Sequence, residues 1–514
     1  MLKQRPAGDK SWPIACSQTT LGTSYEELDL SGANMSYGDF KDATFLAKGA
    51  IKLNGAGLAN AVMSGATITA DGSYDSGAAT IDFTGANLAN AVLSGSTLMA
   101  EADGSYGTTL ATIDFTEANL ANADLSGSTL TADSSYGTAT IDFAEANLAN
   151  ADMSGATLTA DGSNAATIDF TEANLANADL SGATLTADGY DDATIDFAEA
   201  NLANADLTDS ELTANAAYYG DALIDFAEAN LADADLSGAT LIADSNYGSA
   251  TIDFTEANLA SADMSGSTLT AYAGYYATID FTEANLASAD LSGTALTADG
   301  GYTATIDFTE ATLADADMSG LTLTATAGSY SGDATINFTE ANLANADLSG
   351  TALTATGDYA TINFIEANLA NTDLSGSMLT ATGTIDFTEA NLANASLSGS
   401  ELTAEGTRSY YGDLGDALID FAKANLANAN LSGSRFTADG GDATISFTDT
   451  TLADADLSGW ALTADTIVGL APPPSSPPPC VNTKNNCKKK KCKKYSDAKK
   501  LKCKKTCDVC DGLP

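Results

Sequence analysis

Residues 167–187 read TIDFTEANLANADLSGATLTA. From Ile168 this is four consecutive pentapeptides, IDFTE, ANLAN, ADLSG and ATLTA. Each has a large apolar centre: Phe170, Leu175, Leu180 and Leu185. Two residues before each centre stands a smaller apolar residue: Ile168, Ala173, Ala178 and Ala183. Between them lie mostly Asp, Asn, Thr, Ser and Gly. A five-residue apolar period is neither the 3.6 of an amphipathic helix nor the 2 of an extended strand. It fits a chain that turns a corner every five residues. Four corners close a square coil, with the centre and the residue two before it pointing inward. Stacked coils then bury columns of Phe and Leu and pair their backbones about 4.8 Å apart.

The unit recurs along most of the 514-residue chain. Its first-face centres are Leu30, Leu53, Phe83, Phe115, Phe143, Phe170, Phe197, Phe226, Phe254, Phe281, Phe308, Phe338, Phe364, Phe387, Phe421 and Phe447. That predicts an all-β solenoid of about sixteen coils over 28–464, a rod on the order of 75 Å long. The first two coils are irregular, with Gly57 for the usual Asn and Lys52 for Asp, as expected of a capping end; residues 1–27 read as an N-terminal cap. A loop rich in Gly, Asp, Ser and Tyr follows each fourth pentapeptide, as at Gly72-Ser73-Tyr74, Gly104-Ser105-Tyr106, Tyr218-Tyr219-Gly220 and Tyr410-Tyr411-Gly412. Insertions at one phase should all emerge at one corner. Their tyrosines fit an aromatic strip for sugars less well than rings laid over the neighbouring loop.

Composition excludes much. The chain has no histidine, so no Ser–His–Asp or Cys–His constellation and no imidazole metal ligand. No break in the repeat singles out a catalytic pair, so the expectation is a protein that is not an enzyme. No apolar run is long enough for a transmembrane segment. The N-terminus MLKQRPAGDKSWPIACSQ does not read as a signal peptide. No proline falls between Pro13 and Pro472, and no lysine or arginine between Lys52 and Arg408. Residues 1–479 carry 9 basic and 66 acidic groups, net −57; residues 480–514 carry 12 lysines and 3 aspartates, net +9; together they give −48.

The acidic charge is sorted into ladders. Asp precedes the first-face Phe in nine coils running, from Asp82 to Asp307, and Glu stands two after it in eleven, from Glu117 to Glu389. Asp recurs on the third face from Asp124 to Asp373, and Asn on the second from Asn87. Like charges 4.8 Å apart repel by roughly 0.9 kcal/mol per pair even in water. Such a rod should live at high ionic strength, hold cations, or have raised carboxylate pKa values. Surface acids that keep a repetitive solenoid from aggregating are the first reading. Calcium is the one cofactor candidate, on the ladder Asp114, Glu117, Asp142, Glu145, Asp169, Glu172, Asp196 and Glu199.

The in-phase A(N/D)Lxx pattern resembles the pentapeptide repeat family over about 28–464. The resemblance implies a right-handed quadrilateral β-helix. Some members are DNA mimics that bind type II topoisomerases, a role the appended tail and the loop in nearly every coil argue against here. The fourth face reads T-x-T in several coils, at Thr67/Thr69, Thr129/Thr131, Thr157/Thr159, Thr184/Thr186, Thr268/Thr270 and Thr322/Thr324. It resembles the ice-binding faces of insect antifreeze solenoids, interrupted by Glu211, Glu401 and Arg435. Ordinary β-propensity explains the threonines as well.

Residues 465–479 read as a Pro-rich linker, with APPPSSPPP over 471–479 forming a polyproline II spacer of roughly 28 Å. Beyond it, 480–514 holds Cys480, Cys487, Cys492, Cys503, Cys507 and Cys510; Cys16 stands alone. Six cysteines with almost no apolar core read as a small disulfide-rich module, and spacing alone allows fifteen pairings. The ending CKKTCDVC resembles the ShK (sea-anemone toxin-like, ShKT) domain over 480–510. The resemblance implies the pairs Cys480–Cys510, Cys487–Cys503 and Cys492–Cys507. It carries over no channel-blocking dyad: Asp497 and Ala498 stand at the matching positions, and Lys494-Tyr495 lies three residues early. The expected protein is extracellular or in a cell wall, structural, with protein or polysaccharide partners, no nucleic acid binding, and self-association of the basic tail with the acidic rod.

Overall fold

The computed structural model describes residues 20–21, 27–72, 77–103, 109–328, 332–406 and 415–470. The described residues form strands, isolated bridges and turns, with no helix among them. Clustering of contacts separates Met1–Val468 from Gly469–Pro514, and only the first unit is described in any detail.

The unit is a parallel β-solenoid of about fifteen turns. One coil shows its construction. The first-face strand Ala166–Asp169 leads to Phe170, and three two-residue corners follow. Each is closed by the amide three residues on: Ala173 to the Phe170 carbonyl at 2.9 Å, Ala178 to Leu175 at 2.9 Å and Ala183 to Leu180 at 3.0 Å. The fourth-face strand Thr184–Gly189 completes the coil. Each corner bends through a residue at positive φ: Glu172 at 55°, Asn177 at 55° and Gly182 at 61°. Glycine and asparagine favour that conformation. A glutamate does not, and holding one there in coil after coil means that stacking overrides local preference.

Stacking is in register throughout. Thr157 lies beside Thr184 and Leu158 beside Leu185 on the fourth face; Ile168 lies beside Ile195 on the first. On the second and third faces, where each coil contributes a single bridging residue, Asn174 meets Asn201 and Asp179 meets Asp206. The second-face bridges run unbroken from Asn34 to Thr451. Corner amides also reach across coils: Phe170 donates to the Asp196 carbonyl at 2.7 Å and Glu172 to Ala198 at 3.0 Å. Pairing extends past both expected ends of the repeat. Thr20–Leu21 pairs with Thr44 and Phe45, and Thr466–Val468 with Thr444–Ser446.

The interior is the set of columns that the pentapeptides imply. Phe170, Leu175, Leu180, Leu185 and the four small residues before them are buried. From Phe83 to Phe421 the phenylalanine rings stack with centroids 4.6–4.9 Å apart and planes within 3°. Such contacts add about 0.5–1.5 kcal/mol each beyond area burial. The column ends at Phe447, met edge-on by Trp460 at 5.7 Å.

The fourth corner differs from the irregular loops expected there. The fourth-face strand runs on past the corner, and its inward positions stay buried as far as Gly189. The next first-face strand returns alongside it from Ala193. The two arms form a narrow fin filled by small residues such as Ala187, Gly189 and Ala193. A Cβ on Gly220 would lie 1.6 Å from the Asp191 carbonyl oxygen. In two coils the arms merge into single strands, Ala352–Asn363 and Met378–Asp386. The loops at 73–76, 104–108 and 407–414 lie outside the described residues.

Phe226 has a ring stacked on each side. Phe226→Ala should cost about 3–5 kcal/mol, since the cavity sits in a column that cannot collapse sideways. Denaturant unfolding checks this, with hydrogen exchange showing protection lost first in the coils around residue 226.

Candidate functional site

The candidate surface is the set of outward columns. Strand register aligns Asp114, Asp142, Asp169 and Asp196 on the first face. Glu117, Glu145, Glu172 and Glu199 occupy the adjoining corner at φ of 55–58°. The two expected carboxylate ladders therefore exist as columns. Among the described residues, no group of three or more acids or sulfurs converges as a metal site. Calcium takes six to eight oxygens. The Oδ1 of each ladder aspartate already accepts a backbone amide.

That engagement is what the sequence reading missed. Asp114, Asp142, Asp169 and Asp196 each accept the amide two residues on at 2.8 Å. On the third face Asp124, Asp152 and Asp179 accept both the amide and the hydroxyl of the following serine. These are Asx turns, legible in Asp or Asn placed two residues ahead of the corner residue. On the second face the asparagines also bond to one another. Asn258 Nδ2 donates to Asn230 Oδ1 at 2.9 Å, and Asn285 Nδ2 to Asn258 Oδ1 at 2.9 Å. The chain of amides runs from Asn87 to Asn285, pauses at Thr312, and resumes from Asn342 to Asn425.

The aspartate column shows its electrostatic cost. Burial pushes Asp225 up to about 6; the Ala227 amide opposes the rise, and Asp196 and Asp253 add to it. Asp142, Asp196 and Asp280 are raised, with burial the leading cause. On the fin, burial raises Asp161, Asp244 and Asp299. Near the ends the direction reverses: hydroxyl and amide bonds from Ser31 and Ser458 lower Asp29 and Asp456. The ion pairs among the described residues stand where columns end or change sign. Lys423 follows Glu389 in the corner column and meets it at 2.5 Å. Arg435 meets Glu401 at 3.1 Å, and Lys52 meets Glu27 at 2.5 Å.

The threonines form two columns in register at Thr129/Thr131, Thr157/Thr159 and Thr184/Thr186. Glu211 sits in the outer column, as do Glu401 and Arg435 further on. Tyrosines line the fin edge, from 42% exposed at Tyr218 to 68% at Tyr359. Several lie against the next coil, as expected: Tyr190 stacks on Tyr218 at 5.2 Å and Tyr275 on Tyr302 at 5.4 Å. Cys16, the spacer 471–479, Lys494, Tyr495, Asp497, Ala498 and the pairs Cys480–Cys510, Cys487–Cys503 and Cys492–Cys507 lie outside the described residues.

The raised carboxylates make stability depend on pH with a definite sign. Between the ordinary aspartate value and about 6, the folded state holds protons that the unfolded chain has released, so folding strengthens as pH falls. The thermal midpoint should therefore rise from pH 7.5 to pH 4.5, and calorimetry across that range checks it.

The pentapeptide repeats family model matches in 8 copies, over residues 107–131 and 159–186. No curated protein matches the chain. Among solved structures, the chain is similar to Rfr23, a pentapeptide repeat protein of the cyanobacterium Cyanothece 51142, at 22% identity and TM-score 0.15. That match covers 26% of this chain and 63% of Rfr23, less than two thirds of its length. It is similar to HetL, a pentapeptide repeat protein involved in heterocyst differentiation regulation in Nostoc sp. strain PCC 7120, at 18% identity and TM-score 0.13, covering 78% of this chain and 89% of HetL. It is similar to full-length QnrB1, a plasmid-mediated fluoroquinolone resistance protein, at 17% identity and TM-score 0.14, covering 43% of this chain and 91% of QnrB1. Scores this low add nothing to the fold, which rests on the pairing described above. The two matched segments repeat in phase with the coils on either side of them, so the likeness to pentapeptide repeats is carried by the same period that builds the solenoid.

Proposed function

We propose that the protein is a non-catalytic structural and interaction protein of the extracellular space or cell wall. In this reading an acidic repeat rod carries the basic ShK-like module at its C-terminal end. The observation that supports it most is the engagement of the polar columns. Aspartate after aspartate closes its own turn and asparagine after asparagine joins a ladder, so these groups maintain a surface. With no histidine in the chain, no conventional base stands beside the serines and threonines. The six clustered cysteines favour an oxidising compartment.

The partners that suit this surface are proteins or polysaccharides. Nucleic acid does not suit it, because phosphates meet like charge along the whole body. Calcium enters as a diffuse counterion of the carboxylate columns. The raised Asp225 supports that form, since a cation would relieve the repulsion that helps to raise it.

Non-reducing peptide mapping of protein from the native extracellular or wall fraction tests the reading. The three ShK-like pairs are expected; six free thiols, or protein confined to the cytoplasm, would overturn it. The opposite charges of body and tail also predict salt-sensitive association. Sedimentation of the full chain should depend on protein concentration at about 20 mM salt and lose that dependence at about 0.5 M. Identical behaviour at both would remove the tail-to-rod attraction.

A further inference from the structure

The fin edge gathers phenols that are at once exposed and in contact. Tyr190, Tyr218, Tyr219 and Tyr247 come from three successive insertions. Tyr190 stacks on Tyr218 at 5.2 Å; Tyr219 meets Tyr218 edge-on at 4.4 Å and Tyr247 at 5.6 Å; Tyr218 and Tyr247 lie 6.4 Å apart. Tyr275 lies 5.4 Å from Tyr302, one coil on, and 6.3 Å from Tyr276. Exposure stays between 42% and 60% at Tyr190, Tyr218, Tyr219, Tyr247, Tyr276 and Tyr302. Stacking has a price for one kind of ligand. A ring face covered by another tyrosine is closed to a sugar, which weakens the carbohydrate reading at Tyr190 and Tyr218. Stacking covers the ring face, whereas the ortho carbons lie on the ring edge beside the hydroxyl.

We propose that this edge is a site of oxidative phenol coupling, which staples neighbouring coils through dityrosine. The oxidant is hydrogen peroxide acting through a haem peroxidase. Each of two phenols gives up one electron and one proton, and the peroxide is reduced to two waters. The two ring radicals join by a new carbon–carbon bond between ortho positions. Each ortho hydrogen then moves to its phenol oxygen, which restores both aromatic rings.

Holding the rings together makes the bond-forming step intramolecular. A solitary phenoxyl has to wait for another molecule, whereas positioned partners behave as if at a very high local concentration. Tyr272 is comparably exposed, at 49%, and pairs in register with Asp244 and Asp299, with no ring partner among the described residues. It is the internal control. The inference is independent of the proposed location and partners, because it rests on ring geometry alone.

The test treats the full folded chain with horseradish peroxidase and peroxide over an about hundredfold dilution series. Dityrosine fluorescence measures yield, and mass spectrometry of peptides from an aspartate-specific protease locates the links; trypsin does not serve, since no lysine or arginine lies between Lys52 and Arg408. The expected result is a yield per molecule unchanged by dilution, with links within the 190/218/219/247 group and between Tyr275 and Tyr302. The double variant Tyr218→Phe, Tyr247→Phe keeps the rings and should keep the circular dichroism. It should lose the links of the first group and retain Tyr275–Tyr302. A yield that falls in proportion to dilution, or links as frequent at Tyr272, would overturn the proposal.

Discussion

Everything in the solenoid depends on one constraint: each coil must hydrogen-bond to the next in exact register. Backbone groups cannot be left unpaired in a stacked interior. A coil therefore offers its amides and carbonyls at the same positions as its neighbours, and equivalent residues fall into columns. The parallel phenylalanine rings, the asparagine chain and the aspartate ladder are three consequences of that alignment. So is the absence of proline between Pro13 and Pro472, since proline has no amide to donate.

Alignment has an electrostatic consequence that the protein distributes with care. A column of identical apolar groups gains from stacking, and a column of amides gains from mutual donation. A column of carboxylates does not. Two devices hold the aspartates in place. Their oxygens accept backbone amides at the corners, and some carry raised pKa values that let protonation relieve the repulsion. Cations appear where a column ends, as Lys423 does beside Glu389. The glutamates illustrate the same priority in backbone terms. Positive φ at Glu172 is unfavourable locally, yet the cross-coil bond from its amide to Ala198 requires that corner shape.

Much of this could be read in the residues. The five-residue period specified the corners, the inward columns and the first-face centres from Leu30 to Phe447. The charge ladders were legible too, and so was the prospect of raised carboxylates. What the aspartates do was legible as well. An aspartate two residues before a corner signals an Asx turn by its spacing, and the structure places the amide that it accepts at 2.8 Å. The insertions were the weakest point. Runs such as ADGYDDA, residues 187–193, contain turn-forming residues, so they read as loops. In the structure they are largely strand, because the insertion of each coil lies on that of the next and inherits its register.

The sequence by itself determined the local rule: which residues face inward, where the chain bends, and which side chains repeat at each level. It could do so because a solenoid contact joins equivalent positions of adjacent repeats, so a single period encodes a three-dimensional neighbourhood. Only the tertiary structure decided what the outward residues meet. The fin, its core of alanine and glycine, and the clustered tyrosines at its edge arise from insertions of unequal length brought side by side. Their alignment is set by the coils beneath them, a long-range condition that no insertion states on its own.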